Sequence, residues 1–276
     1  MVIYERPPKH TMKLFSFRNL RILILLGLLA AIAIYSKSQL LTSTAWLEPL
    51  QVVIYPINAD GDPKTTLYIR NLHTDRFSDI DAFMVREGKK FNTLEKNPTH
   101  TRLGAEVMEQ PPVPPDLASR TAFSTMLWSL KLRYWVWQNT PDDASNINRV
   151  RIFVLYYQGT EDKPLQHSLG LQKGLLGIVH AFAKKKMDKR NNIVITHELL
   201  HTVGATDKYD TNNQPIYPQG YAQPNRKPRY PQYRAEIMSA RIPSSSTESE
   251  MASSLKKCVI GPSTAKDINW LGANTH

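Results

Sequence analysis

Two histidines four residues apart are the first feature of this sequence with clear chemical meaning. His197 and His201 stand on either side of Glu198, in a stretch that ends at Asp207. On a helix, side chains four residues apart project from one face, so both imidazoles can reach one metal ion, and zinc is the usual occupant. Glu198 would lie beside the metal, placed to take a proton from water. The spacing therefore predicts a metal site with an adjacent base.

The residues around the motif predict where its helix begins and ends. Asn191 or Asn192 can cap the N-terminus, and the apolar residues that follow begin the buried side. Gly204 is a natural stop, because glycine adopts the left-handed conformation that turns the chain sharply. Such a turn would bring Asp207 back toward the metal as a third, oxygen-donating ligand.

The extended pattern resembles that of the metzincin clan of zinc metallopeptidases. It reads HExxHxxGxxD from His197 to Asp207, and Glu-Ile-Met-Ser follows at 236–239. The clan's motif ends in His or Asp, and a methionine-containing turn lies beneath its metal. The aspartate, Tyr209 two residues later and the Glu-aliphatic-Met-Ser turn are most similar to the snapalysin family. The detailed match covers only residues 191–210 and 236–239.

The resemblance implies a role for each residue of the pattern. Zinc would be held by three ligands: His197, His201 and Asp207. Glu198 would act as general base on water and then carry the proton to the leaving amine. Met238 would pack under the metal without coordinating it. Tyr209 would either stabilise the tetrahedral intermediate or orient the loop of the third ligand, and its closeness to that ligand favours orientation.

Two other interpretations of the motif stay open at this point. A gluzincin-like site would use Glu236 or Glu248 as third ligand. Alternatively, zinc could be structural in a non-proteolytic binding module of the cell envelope. Glu198 argues against a structural site, which needs no base beside the metal. The favoured interpretation is a membrane-anchored zinc endopeptidase that cleaves peptides or proteins outside the cytoplasm.

The N-terminal part of the chain predicts a membrane segment. A basic leader, residues 1–21, precedes an apolar run that forms the predicted anchor, residues 22–37. About fifteen apolar residues are short for a bilayer span, but Arg21 and Lys37 can snorkel at its ends. A core helix would show a polar face, and this run shows none. We predict a single-pass protein with a cytoplasmic leader and an extracytoplasmic domain. The alternative is secretion after signal-peptide cleavage near Ala31–Ala33.

A linker, residues 38–49, leads to the predicted folded domain, residues 50–276. The length of 276 residues and the hydrophobic content of 41% suit one domain with an appendage. The predicted fold class is α+β. Its upper part, residues 50–204, would be a metzincin-like mixed, twisted sheet with packed helices and the active-site helix. Its lower part, residues 205–276, would be small and irregular.

Hydrophobic patterning supplies the elements of this domain. The predicted strands are Leu50–Tyr55, 104–109, Val150–Tyr157 and Gly174–Phe182. The predicted helices are 75–91, 117–138 and 263–271. Residues 65–70 are either a hairpin partner of the first strand or the entry to the next element. Four aromatic residues of the second helix are predicted to pack in the core: Trp128, Tyr134, Trp135 and Trp137. The resemblance implies that an edge strand within 165–182 binds an extended peptide.

The remaining features are given structural interpretations. Residues 211–234 hold five prolines and four tyrosines, which predicts an irregular but packed loop. His167 and His180 are predicted to be ordinary structural or surface histidines. Cys258, the single cysteine, excludes an internal disulfide and is predicted to be a packing residue. The net charge of +11 favours a solvated basic surface over binding to anionic lipid, polymer or nucleic acid, and no nucleic-acid motif is present.

Overall fold

The computed structural model describes residues 17–93, 95–116, 121–140, 148–159, 168–172 and 174–271. Within these ranges the fold is α+β, with a twisted mixed sheet and six α-helices. The helices are α1 (Phe17–Ala45), α2 (Pro63–Arg70), α3 (Ser78–Lys90), α4 (Ala122–Asn139), α5 (Asp188–Thr202) and α6 (Pro262–Asp267). The strands are β1 (Leu50–Asn58), β2 (Thr99–Leu103), β3 (Arg149–Tyr157), β4 (Leu169–Leu171), β5 (Leu176–Phe182), β6 (Ala235–Glu236), β7 (Arg241–Pro243), β8 (Ser249–Met251) and β9 (Cys258–Val259).

The chain divides into two compact units, Met1–Ser38 and Gln39–His276. Helix α1 is the one helix in the described ranges that is long and apolar enough to cross a membrane. Such a helix can be a membrane anchor or a signal sequence. Residues 38–45, predicted as linker, are helical. Within the second unit, Trp46 packs edge-on against Trp270 at 5.4 Å between ring centroids, so the folded part begins before Leu50.

The main sheet has five strands in the order β2-β1-β3-β5-β4. Four strands are parallel, and β4 pairs with β5 in the antiparallel sense. Alternate residues of β1 enter two different cores, one containing Val52 and Ile54 and the other Val53 and Tyr55. The first core also holds residues of α3 and α5, and the second holds residues of α4. Because helices cover both faces, β1 and β3 are almost continuously apolar, as the sequence predicted.

Two predicted elements differ from the structure. Residues 65–70 form a helix and not a hairpin partner, because Pro63 opens α2 and the Asp62 side chain accepts a hydrogen bond from the Lys64 N–H. The short strand predicted at 104–109 lies earlier, at β2. The carboxylate of Asp81, on α3, holds β2 in place by accepting hydrogen bonds from threonines of that strand.

Helix α4 confirms the second predicted helix over the residues described, although residues 117–120 lie outside them. Trp128 and Trp135 are buried, and Trp135 packs edge-on against Phe153 of β3 at 4.7 Å. Tyr134 and Trp137 are 59% and 68% exposed, so the prediction that all four aromatic residues belong to the core is wrong. A helix that packs on a sheet buries one face, and these two residues lie on the other.

The C-terminal part, from residue 205 to 271, is irregular, with the short pairs β6–β9 and β7–β8 and the six-residue helix α6. The predicted final helix therefore ends earlier than expected. Ile268 and Trp270 are buried, whereas Leu271 is 48% exposed. The tyrosine-rich loop is packed, because Tyr221 contacts Tyr217 and its hydroxyl lies 2.8 Å from that of Tyr230.

Candidate metal centre

Helix α5 is fixed to the sheet by buried polar side chains. Asn191 donates to the carbonyl of Phe182 at the end of β5 and accepts from its N–H. Asn192 donates to the carbonyl of Arg76. The prediction that one of them caps the helix is therefore wrong: α5 begins three residues earlier and uses these amides as tertiary anchors. The predicted stop is confirmed, since Gly204 has a φ of 108° just after the last turn.

Three side-chain atoms converge beside the C-terminal part of this helix. His197 Nε2 and His201 Nε2 are 3.0 Å apart, and each lies 3.1 Å from Asp207 Oδ1. Ligands about 2.0–2.1 Å from a tetrahedral zinc ion are about 3.3 Å from one another. The observed spacing is close to that value. Within the described residues this is the group of histidine and carboxylate side chains that could hold a metal ion.

The other nitrogen of each imidazole indicates which tautomer the ring adopts. His197 Nδ1 lies 3.1 Å from the carbonyl of Ile237, and His201 Nδ1 lies 2.8 Å from that of Ala205. A carbonyl only accepts, so both Nδ1 atoms carry the proton and both neutral rings present the Nε2 lone pair. Together with the Asp207 oxygen, three acceptors then face one another, and only a metal ion or an added proton can join them.

The charges around the three atoms also favour a positive charge between them. Burial acts to lower the pKa of His197, but its hydrogen bond to Asp207 and the charge of Glu198 outweigh burial and raise the pKa. Burial acts to raise the pKa of Asp207, but the hydrogen bonds to His197 and His201 outweigh it and hold the pKa far below its usual range. Each shift means that the site favours a positive charge between its members.

Glu198 is buried beside the two histidines. Burial raises the pKa of this carboxyl group, while the two neighbouring imidazoles act to lower it. The Gly170 N–H donates to the carboxylate, yet Glu198 Oε2 is buried with no hydrogen-bond partner among the described residues. A buried carboxylate oxygen without a donor costs free energy, and a catalytic role is one explanation for such an atom.

Gly170 is a functional residue that the sequence analysis missed. A Cβ atom at this position would lie 2.5 Å from His201 Cβ and 2.6 Å from the Glu198 carbonyl oxygen. Only glycine therefore lets the edge strand β4 approach α5 closely enough to reach the carboxylate. The signal was present in the sequence, because an isolated glycine between two leucines in a strand indicates a close approach of backbone.

Tyr209 contacts two of the candidate ligands. Its ring stacks on His197 at 6.2 Å between centroids, and its hydroxyl is hydrogen-bonded to Asp207. Burial, followed by the charge of Asp207 and this hydrogen bond, raises the pKa of Tyr209 to about 12, so the hydroxyl stays protonated and donates. These contacts favour the prediction that Tyr209 orients the aspartate.

Hydrogen bonds connect the predicted methionine turn to the helix that carries the two histidines and to the segment that carries Asp207. Ile237 supplies the carbonyl to His197, and the carbonyl of the fully buried Met238 accepts from the Lys208 N–H at 3.1 Å. Glu236 is not in the donor group. Its carboxylate is buried and accepts three hydrogen bonds, from Met238 N, Gly261 N and Thr264 Oγ1. Glu248 is likewise outside the group, which contains Asp207 as its only carboxylate.

A second set of contacts, also missed from the sequence, holds the segment that carries Asp207. Lys208 is buried, and its ammonium group lies 2.6 Å from the carboxylate of Asp267. The same carboxylate accepts from the N–H and the hydroxyl of Thr206. Asp207 is thus flanked on both sides by residues bound to Asp267, at the end of α6. No pattern in the sequence links positions that are about sixty residues apart in this way.

The remaining candidates do not join the group. His180 stacks on Tyr157 and its Nδ1 lies 3.0 Å from that hydroxyl, while burial lowers its pKa. His167 lies outside the described residues. Asp210 Oδ1 accepts from two backbone N–H groups of its own turn. Cys258 is buried as predicted, and burial raises the pKa of its thiol to about 12. The sequence matches no family model, and no curated protein matches it.

Proposed function

We propose that this protein is a zinc-dependent endopeptidase, held at a membrane by α1, with its folded domain outside the cytoplasm. The observation that carries the proposal is the convergence of three acceptor atoms on one point, from His197, His201 and Asp207, beside the unpartnered oxygen of Glu198. The first three atoms are spaced so that one metal ion could bind all of them, and the fourth is a buried proton acceptor with no hydrogen-bond donor among the described residues. In metzincins of the snapalysin kind, which the motif resembles, both features serve one reaction: three ligands hold zinc, and a glutamate acts as base beside it.

The residues of the site divide the work between them. When bound, zinc lowers the pKa of water and polarises a peptide carbonyl. Glu198 takes a proton from the attacking water and delivers it to the nitrogen of the leaving amine. Its place suits this task, because Glu198 is buried directly beside the two histidines. Tyr209 keeps Asp207 in place and makes no contact with the reacting atoms in this account.

The edge strand β4 suggests how a substrate is positioned. One side of β4 pairs with β5, and no strand pairs with its other side within the described residues. Leu169 and Leu171 are half-buried, and Gly170 between them contacts Glu198. A peptide that adds to this edge as a further strand would pass beside the base. The expected peptide-binding edge within 165–182 is therefore assigned to β4.

The test compares parent protein and Glu198→Gln, as full-length chains in detergent, on a quenched peptide and on casein. We expect zinc-dependent cleavage by the parent, lost with a chelator and restored by zinc. Glu198→Gln is nearly isosteric and lies outside the ligand set, so it should keep zinc and lose about 10²–10⁴-fold in rate. A zinc-loaded parent that cleaves nothing would favour the alternative, a binding module with structural zinc.

A further inference from the structure

Helix α4 carries a second apolar face that the fold does not use. Its inner face packs on the sheet through Trp128, Leu132, Trp135 and Val136. Six further large side chains on this helix are exposed, between 44% and 69% of their surface: Phe123, Met126, Leu127, Leu130, Tyr134 and Trp137. Single exposed apolar residues are common on soluble proteins, but a continuous set on one element marks an interaction surface.

These six residues form one stripe, here called the outward face of α4. Their positions follow the spacing i, i+3, i+4, i+7, i+11 and i+14, which at 3.6 residues per turn keeps them within about 100° of one another on the helix surface. The stripe lies opposite the buried face. Because both faces are apolar, the helix has no polar side of the usual kind, and only its flanks carry charge.

The flanks indicate which partner fits. Lys131 and Arg133 are exposed and lie on opposite sides of the stripe, and α4 contains no acidic residue. Aliphatic and aromatic residues bordered by cations are typical of helices that lie in the headgroup region of a bilayer, where lysine and arginine meet anionic lipid and their stems cover apolar surface.

The same chain also carries α1, a helix long and apolar enough to cross a membrane. A helix of this kind that is inserted in a bilayer keeps the folded part of the same chain close to lipid, at high effective concentration. We propose that the outward face of α4 lies on the surface of a lipid bilayer. This inference rests on the membrane attachment proposed above and is independent of the proteolytic activity.

A probe on the stripe tests this in the full-length chain. Leu130→Cys is labelled with an environment-sensitive fluorophore, and the chain is reconstituted into vesicles of mixed anionic and zwitterionic lipid. Cys258 does not compete for label, because its thiol is buried. We expect emission at shorter wavelength, and about twofold lower intensity when the lipids carry a quencher high in the acyl chain, since such helices insert only about 5–10 Å. A probe at Tyr134→Cys should respond alike.

Thr125→Cys is the matched control, because Thr125 is exposed on the same helix but lies off the stripe. Its probe should stay open to aqueous iodide and insensitive to the lipid-borne quencher. The proposal is overturned if iodide quenches the probe at Leu130 as strongly as it quenches the control. It is also overturned if neither quencher reaches that probe, as when a second copy of the chain covers the stripe. A chain that does not float with the vesicles would overturn it as well.

Discussion

The two sides of the candidate metal site are built by different means. His197 and His201 come from one regular helix, whose spacing places them on one face, and backbone carbonyls of Ile237 and Ala205 orient their rings. Asp207 comes from the irregular segment that follows, whose position depends on buried polar contacts with Asp267 and with the methionine turn. Repeating geometry thus supplies two ligands, and individual side-chain anchors supply the third. Damage to an anchor should therefore affect the aspartate side of the site far more than the histidine side.

The largest effect is expected from Glu236→Ala. The buried carboxylate accepts hydrogen bonds from Met238 N, Gly261 N and Thr264 Oγ1, and its loss leaves three buried donors without an acceptor. We expect a loss of about 3 kcal/mol in the free energy of unfolding, measured by urea titration of the metal-free protein. The exposed Glu250→Ala should change this free energy by no more than about 0.5 kcal/mol. Equal losses would show that Glu236 is not an anchor.

Asp267→Asn tests the anchor nearest to the third ligand. The substitution removes the charge that holds Lys208 and weakens the contacts to Thr206, so zinc affinity should fall about tenfold, as for other partners of metal ligands. Asn192→Ala is the control on the helix side. It removes a hydrogen bond from α5 to Arg76 but leaves the histidine spacing intact, so zinc affinity should stay within about twofold. The comparison fails if Asn192→Ala is the more damaging change.

The same pair of charges predicts a dependence on pH. Burial acts to raise the pKa of Asp267, but the hydrogen bonds from Lys208 and Thr206 outweigh it and lower the pKa below 3.8. A carboxyl group whose pKa is lower in the folded than in the unfolded protein stabilises the fold at any pH above its unfolded pKa. This stabilisation is lost as the pH falls through the folded pKa. The difference in unfolding free energy between parent and Asp267→Asn should therefore be constant at neutral pH and shrink below about pH 4. A difference that grows with acid would contradict this.

The smallest effect is expected from Tyr209→Phe. The ring keeps its stacking on His197, and only the hydrogen bond to Asp207 is lost. If Tyr209 orients the ligand, zinc affinity should fall by no more than about tenfold, and the turnover of the zinc-saturated enzyme should change little. A large fall in kcat with unchanged zinc affinity would assign the hydroxyl to the transition state instead.

The sequence predicted what depends on local patterns. The apolar runs of β1, β3 and β5 and the ligand helix with its stop at Gly204 follow from spacing and composition, and the structure contains them. It did not reveal contacts made across the fold. The sequence suggested Asn191 as a local cap, although its side chain bonds to β5. It did not show that Gly170 lies against Glu198. Both roles depend on which strand packs beside the helix.

The aromatic residues of α4 show a related limit. Helical spacing identified the element, but both faces of the helix are apolar, so the pattern could not tell which side meets the sheet. Trp135 is inside and Trp137 is outside, and only packing against Phe153 decides between them. Asp207 and Asp210 are carboxylates three residues apart, and here the motif alone selects Asp207. In the structure Asp207 contacts the histidines, and Asp210 contacts local N–H groups.

Zinc titration into chelator-stripped protein, followed by calorimetry, tests the central claim most directly. We expect one zinc site in the parent. The zinc affinity of Asp207→Ala should be lower by more than about 100-fold, a larger loss than the removal of a residue that only contacts a ligand would cause. Asp210→Ala should bind like the parent, since its carboxylate serves a local turn. Asp207→His should retain zinc, because imidazole is an equally good donor. Equal affinity of Asp207→Ala and the parent would remove the aspartate from the site and contradict the account.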